Sequence, residues 1–86
     1  MARYYFDVLA GPAYRRDGVG VELPDLPGAV SEAIARATKL LRQQAPEGED
    51  RRSWLLVARG QDLNVIFVLK LSMVLTALLW ASTRLH

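Results

Sequence analysis

Residues 53–59 and 65–71 read as strands that are apolar on both sides, and this constrains the fold more than any other feature. In the first run Trp54, Leu56 and Ala58 alternate with Leu55 and Val57. In the second, Val65, Phe67 and Leu69 alternate with Ile66 and Val68. Gly60-Gln61-Asp62 is a turn signal between them, so the spacing predicts a hairpin. A strand buried on one face alternates apolar with polar residues, whereas one that is apolar on both wants cover on both. The chain has 86 residues, room for one domain and a small core. A single amphipathic helix covers one sheet face, so something else must cover the other.

The preceding residues supply the first cover. Residues 4–9 alternate, with Tyr4, Phe6 and Val8 on one side and Tyr5, Asp7 and Leu9 on the other. A turn region from Ala10 to Gly18 follows, and Val19, Val21 and Leu23 alternate again, predicting an antiparallel hairpin. Pro24-Asp25-Leu26-Pro27-Gly28 closes it. Asp25 is placed to cap a helix, because its carboxylate can accept a bond from an unpaired first-turn N–H. Helical spacing runs to about Gln44, with Val30, Ala33, Ile34, Ala37, Leu40 and Leu41 on one stripe and Glu32 and Arg36 paired i,i+4 off it. Pro46 and Gly48 are its expected stop.

Two candidates exist for the second cover. One is the tail, 72–86, whose segment from Met73 to Ala81 is uncharged, with Ser72 as its expected cap. The other is a second copy of the chain, since a large exposed apolar patch on a small domain marks an interface. The candidate interface is Leu55, Val57, Ile66, Val68, Met73, Leu75, Leu78, Leu79 and Trp80, and the expected partner is a homodimer or another protein. A membrane span is not expected: Lys70, Asn64, Ser72 and Thr76 interrupt residues 63–83, and a mid-span lysine costs about 2.5 kcal/mol or more. The N-terminus has Asp7 within its apolar run and does not read as a secretory signal. The expected compartment is the cytoplasm.

Charge points to little else. Residues 1–62 carry nine basic and nine acidic side chains; the net +2 comes from Lys70 and Arg84. The basic residues form no visible patch, so no nucleic-acid partner is expected. Arg51-Arg52 reads as solvated loop charge. Tyr14, Arg15 and Arg16 form a weak contact site, an aromatic beside positive charge. The chain has no Cys and its one His is His86. That excludes thiolate zinc sites, disulfide scaffolds and Ser/His/Asp triads. Asp7 and Glu22 are the remaining pair for a divalent cation or acid/base work, a remote reading beside that of plain solvent-facing carboxylates. No enzyme, no cofactor and no metal is the expectation.

Arg3-Tyr4-Tyr5-Phe6-Asp7-Val8, Asp17-Gly18, Gly20-Val21-Glu22-Leu23-Pro24-Asp25-Leu26, Glu32-Ala33 and Arg52-Ser53-Trp54 together resemble a family of very short bacterial proteins of unknown function, common in rhizobia and their relatives. The resemblance covers about residues 3–71 and implies a fold and no activity; the tail departs from it. Asp17-Gly18, Pro24-Asp25-Leu26-Pro27-Gly28 and Glu32-Ala33 are also similar to HicB-type antitoxins, which implies a chain that binds and masks a small toxin. Here the helix follows the motif almost at once and no DNA-binding segment is visible. The expected architecture is α+β, an antiparallel β-β-α-β-β sheet with one helix on one face and the tail or a dimer partner on the other. It forms one domain over 1–86, with a 1–71 core. Its expected role is a non-catalytic interaction or regulatory module.

Overall fold

A computed structural model describes residues 1–43 and 53–84, with side chains as far as Trp80. Its elements are β1 (Ala2–Ala10), β2 (Ala13–Arg15), β3 (Val21–Leu23), α1 (Leu26–Arg42), β4 (Leu55–Arg59), β5 (Val65–Lys70) and α2 (Leu71–Arg84). The strands form one antiparallel sheet in the order β2-β1-β4-β5, with β3 also on β1. The fold is α+β, as the order of apolar periods predicts.

The first hairpin differs from its sequence reading. Its turn is only Gly11-Pro12, and its return strand comes in two pieces. β2 pairs Val8 with Arg15 and Ala10 with Ala13, while β3 pairs Tyr4 with Val21 and Ala2 with Leu23. Continuing the first register would set Tyr4 opposite Val19, two residues short of its partner. β2 and β3 are therefore one strand carrying a two-residue insertion within 16–20, larger than the one-residue insertion of an ordinary β-bulge.

Gly20 makes that insertion fit. Its φ is +75°, and a Cβ there would lie 2.9 Å from a Tyr5 ring carbon and 3.0 Å from the Tyr4 carbonyl oxygen. Left-handed backbone disfavours any Cβ. Gly20→Ala is expected to cost about 2 kcal/mol and lower the Tm by roughly 8–16 °C. Gly18→Ala, in open space without positive φ, is the matched control and should leave the Tm nearly unchanged.

α1 begins as predicted: the Asp25 carboxylate accepts the Gly28 N–H at 2.8 Å, with Pro in the first turn. Its buried stripe keeps four of the six positions that the helical spacing suggests, takes in Ala29, and leaves out Val30 and Ile34. Ala29, Ala33 and Ala37 are fully buried, Leu40 and Leu41 partly, and Val30 and Ile34 are exposed. The smallest side chains allow the closest approach of helix to sheet, so the larger neighbours are displaced to the flank. Beneath α1 lie Tyr4, Phe6, Trp54, Leu56 and Ala58. The helix ends at Arg42 with Gln43 as its cap; Pro46 and Gly48, the expected stop, lie outside the described residues, as do Arg51 and Arg52.

The tail is where expectation and structure part. It forms α2, but α2 packs against α1 and the end of β5, in the same layer as α1. It does not cover the opposite sheet face. The cause is the junction: β5 ends at Lys70 and the helix starts at Leu71 with no connecting loop to lead the chain round the sheet edge. The Leu71 N–H still donates to the Trp54 carbonyl at 3.1 Å, as a ladder residue would. Ser72 is thus inside the first turn and not its cap. Among the described side chains of α2, only Leu71 and Val74 are buried. Among the described residues no helix is long and apolar enough to cross a membrane.

Candidate functional site

The sheet face away from α1 has a polar half and an apolar half. The polar half is built on Asp7, fully buried on β1, and Arg59, buried at the end of β4. Tyr5 pairs with Arg59 and Asp7 with Val57, so the two charges sit on neighbouring strands, displaced diagonally. The guanidinium forks onto the carboxylate: Nε donates to Oδ2 at 2.6 Å and an Nη donates to Oδ1 at 3.0 Å. The Tyr14 hydroxyl donates to Oδ2 and the Asp17 backbone N–H to Oδ1 at 2.9 Å. Arg59 also donates to the Asp17 carbonyl at 3.0 Å and stacks over the Tyr5 ring.

Asp17 explains the broken strand. Its carboxylate accepts the Phe6 N–H at 3.0 Å, in the gap between β2 and β3 where β1 has no strand partner on that side. It also accepts the Val19 and Gly20 N–H groups at 3.0 Å each. One side chain thus replaces a missing ladder bond and holds the bulge, while its backbone joins the Asp7–Arg59 pair. Buried polar groups of this kind must be fully satisfied or they destabilise.

Burial alone would raise the Asp7 pKa. The bonds from Arg59, Tyr14 and the Asp17 amide, with the Arg59 charge, outweigh it and hold the carboxyl below its ordinary value. Burial likewise opposes and three backbone N–H bonds (Gly20, Phe6, Val19) outweigh at Asp17, which is also lowered. The Asp7 carboxylate, with burial, pushes Tyr14 up from its ordinary value and keeps it a neutral donor. For a depressed acid the folded state releases its proton more readily than the unfolded chain. The stabilisation is complete above the unfolded pKa of about 4 and is lost as pH falls through the lower folded value. The Tm is therefore expected to be level from about pH 5 to 8 and to fall below about pH 4. Asp7→Asn should flatten part of that acid limb, read by thermal melts across pH.

This geometry leaves no chemistry for Asp7 and Glu22 together. Glu22 is exposed and faces Arg3 at 3.4 Å. With Arg3 opposite Glu22, Asp7 lies four residues further along β1, about 13 Å away. Asp7 is not a solvent-facing carboxylate either, since Arg59 claims it. Neither Arg59 nor the carboxylate of Asp17 stood out in the sequence. The available signal was an acid in the middle of one largely apolar strand and a base closing another. The contact candidates divide: Tyr14 spends its hydroxyl on Asp7, Arg15 lies over the Trp54 ring, and Arg16 is exposed.

The apolar half holds Leu55 and Val57 on β4, both half-buried, with Ile66 and Val68 on β5, 43% and 50% exposed. Val65 joins them and not the core, because a bulge opposite Ala58 and Arg59 turns it outward. Leu63 extends the patch into the turn and holds a φ of +68°. That conformation costs an ordinary side chain about 1–2 kcal/mol. Met73, Leu75, Leu78, Leu79 and Trp80, grouped with this face by sequence, are on α2 in the other layer; Leu75 is half-buried and the other four are exposed.

On the helix side, a cleft of about 220 Å³ lies between α1 and the sheet, floored by Phe6, Val8 and Leu56 and rimmed by Arg36 and Lys39. It is smaller than the roughly 300 Å³ at which small-molecule sites begin. Arg36 is already engaged, over the Phe6 ring and with Glu32 and Asp17. The Pro24–Gly28 stretch, which carried the antitoxin likeness, is occupied locally in closing β3 and capping α1.

The model of a protein family described as a domain of unknown function, DUF6894, matches residues 3–72. No curated protein and no solved structure matches the chain.

Proposed function

We propose that this chain, which belongs to the DUF6894 family of domains of unknown function, is a non-catalytic interaction module that works as a homodimer through the open face of its sheet. The observation that carries this reading is the apolar half of that face, Val57, Val65, Ile66 and Val68, which no element of the described fold covers. Continuous apolar patches on small domains mark interaction surfaces. Leu63 adds a second argument. An exposed leucine in left-handed backbone costs stability where Gly or Asn would be free, and residues kept at such a cost concentrate at functional surfaces. The charged pair on the same face is self-neutralised, so covering it buries no net charge.

The non-catalytic part of the reading is supported by Asp7, whose acceptor positions are taken by Arg59, Tyr14 and the Asp17 amide. A dimer's apparent Tm depends on concentration by mass action. The Tm of this chain is expected to rise steadily over a hundredfold increase in protein concentration. A Tm that stays constant over that range contradicts the reading.

A further inference from the structure

We infer that the outer edge of β5 takes up an extended segment of a different protein as an added antiparallel strand, with an acidic residue of that segment opposite Lys70 and an apolar one opposite Val68. This goes beyond the dimer reading above. The edge does not depend on that reading; the choice of a foreign strand over a second copy rests on it in part.

In the order β2-β1-β4-β5, β5 has a neighbour on one side only. In an antiparallel pair, alternate residues turn their N–H and C=O toward the partner and the rest turn theirs away. Among the described residues no hydrogen bond reaches the outward groups of Val65–Lys70. A row of main-chain donors and acceptors is matched by another extended backbone, the chemistry by which sheet edges recognise peptides.

The opposite edge shows what protection looks like. β2 and β3 are three residues each, are parted by the insertion within 16–20 and carry Arg15 and Glu22. Short, broken and charged edges resist pairing. β5 has six residues, no proline, and is apolar from Val65 to Leu69. Its bulge lies at the Val65 end and its charge at the Lys70 end. Phe67, Val68 and Leu69 between them form a regular, unguarded edge.

Lys70 selects the occupant. It is exposed and makes no ion pair among the described residues. An acidic residue directly opposite completes a cross-strand pair. Opposite residues share a face, so two positions further on the segment meets Val68, where an apolar side chain continues the open-face patch. β5 itself contains no acid, so the β5 of a second copy cannot supply that pair. Self-pairing along the edge, added to a dimer across the face, would also join copies without end, whereas a closed two-fold stops at two.

The test uses the full chain, isotope-labelled for amide exchange, and the end-blocked peptide Thr-Glu-Val-Ile-Val-Thr-Ser as the probe. In the parent alone, the outward amides of β5 are expected to exchange freely while those bonded to β4 are protected. The peptide should slow the outward ones by about tenfold or more. Lys70→Glu, at an exposed position, should weaken binding about fivefold, and a peptide with lysine in place of its glutamate should restore it. Outward amides already protected in the associated parent place a second copy on the edge and overturn the inference. Outward amides that stay unprotected at millimolar peptide overturn it too, as does an affinity indifferent to the charge reversal. A parent that stays monomeric and binds the peptide as described bears out the edge and overturns the dimer reading alone.

Discussion

Asp7→Asn is expected to lower the Tm by roughly 12–24 °C, the equivalent of about 3 kcal/mol in a domain of this size. The carboxylate is fully buried and accepts bonds from Arg59, Tyr14 and Asp17. An amide offers one acceptor oxygen where four donors converge, and turns an NH2 toward the rest. Arg59 is then left with an unneutralised charge, which is what makes breaking a buried pair worse than never having one. Asp7→Leu combined with Arg59→Met should be less destabilised than the sum of the two single variants, since the charges cost most when separated. It should not recover fully, because Asp17 loses a partner for both its N–H and its carbonyl. Additive losses in that cycle would show that the two side chains are not coupled.

Val68→Glu is expected to weaken self-association by about a hundredfold or more, because an unpaired carboxylate enclosed in an apolar interface costs about 3 kcal/mol. The monomer should be unharmed: Val68 is half exposed and points away from the core. The far-UV circular dichroism should match the parent's, while the mass at micromolar concentration falls to that of one chain. Val19→Glu is the control, a valine of still greater exposure on the opposite edge of the sheet, at the bulge. It should leave association unchanged. Equal effects from the two substitutions would mean that added charge, and not the covered face, disperses the protein.

The second hairpin could be read from its residues because its pattern is unusual. Trp54, Leu56 and Ala58 on one side and Leu55 and Val57 on the other allow few placements, and the need for two covers followed directly. The source of the second cover was not legible. Whether residues 72–86 fold over one face or the other depends on the Lys70–Leu71 junction, and a strand running directly into a helix carries no turn signal to read. The buried pair was hidden for a related reason. Asp7 and Arg59 are 52 positions apart, and alternation fixes the face of each residue but not which strand lies beside it. Asp17-Gly18 read as a turn, and it is one. Its further task, filling the gap left by a two-residue slip in register, follows only once Tyr4 is known to face Val21. The α1 stripe was legible at Ala33, Ala37, Leu40 and Leu41 and misplaced at Val30 and Ile34, because hydrophobicity scores these two above Ala29, while close packing favours the smaller side chain.

Sedimentation equilibrium of the parent chain, from sub-micromolar to hundred-micromolar concentration, tests the account most directly. The open sheet face predicts a mass that rises to twice the 9.6 kDa of one chain and stops there. A mass of one chain across the whole range would contradict it, and a mass that keeps climbing beyond two would contradict the dimer.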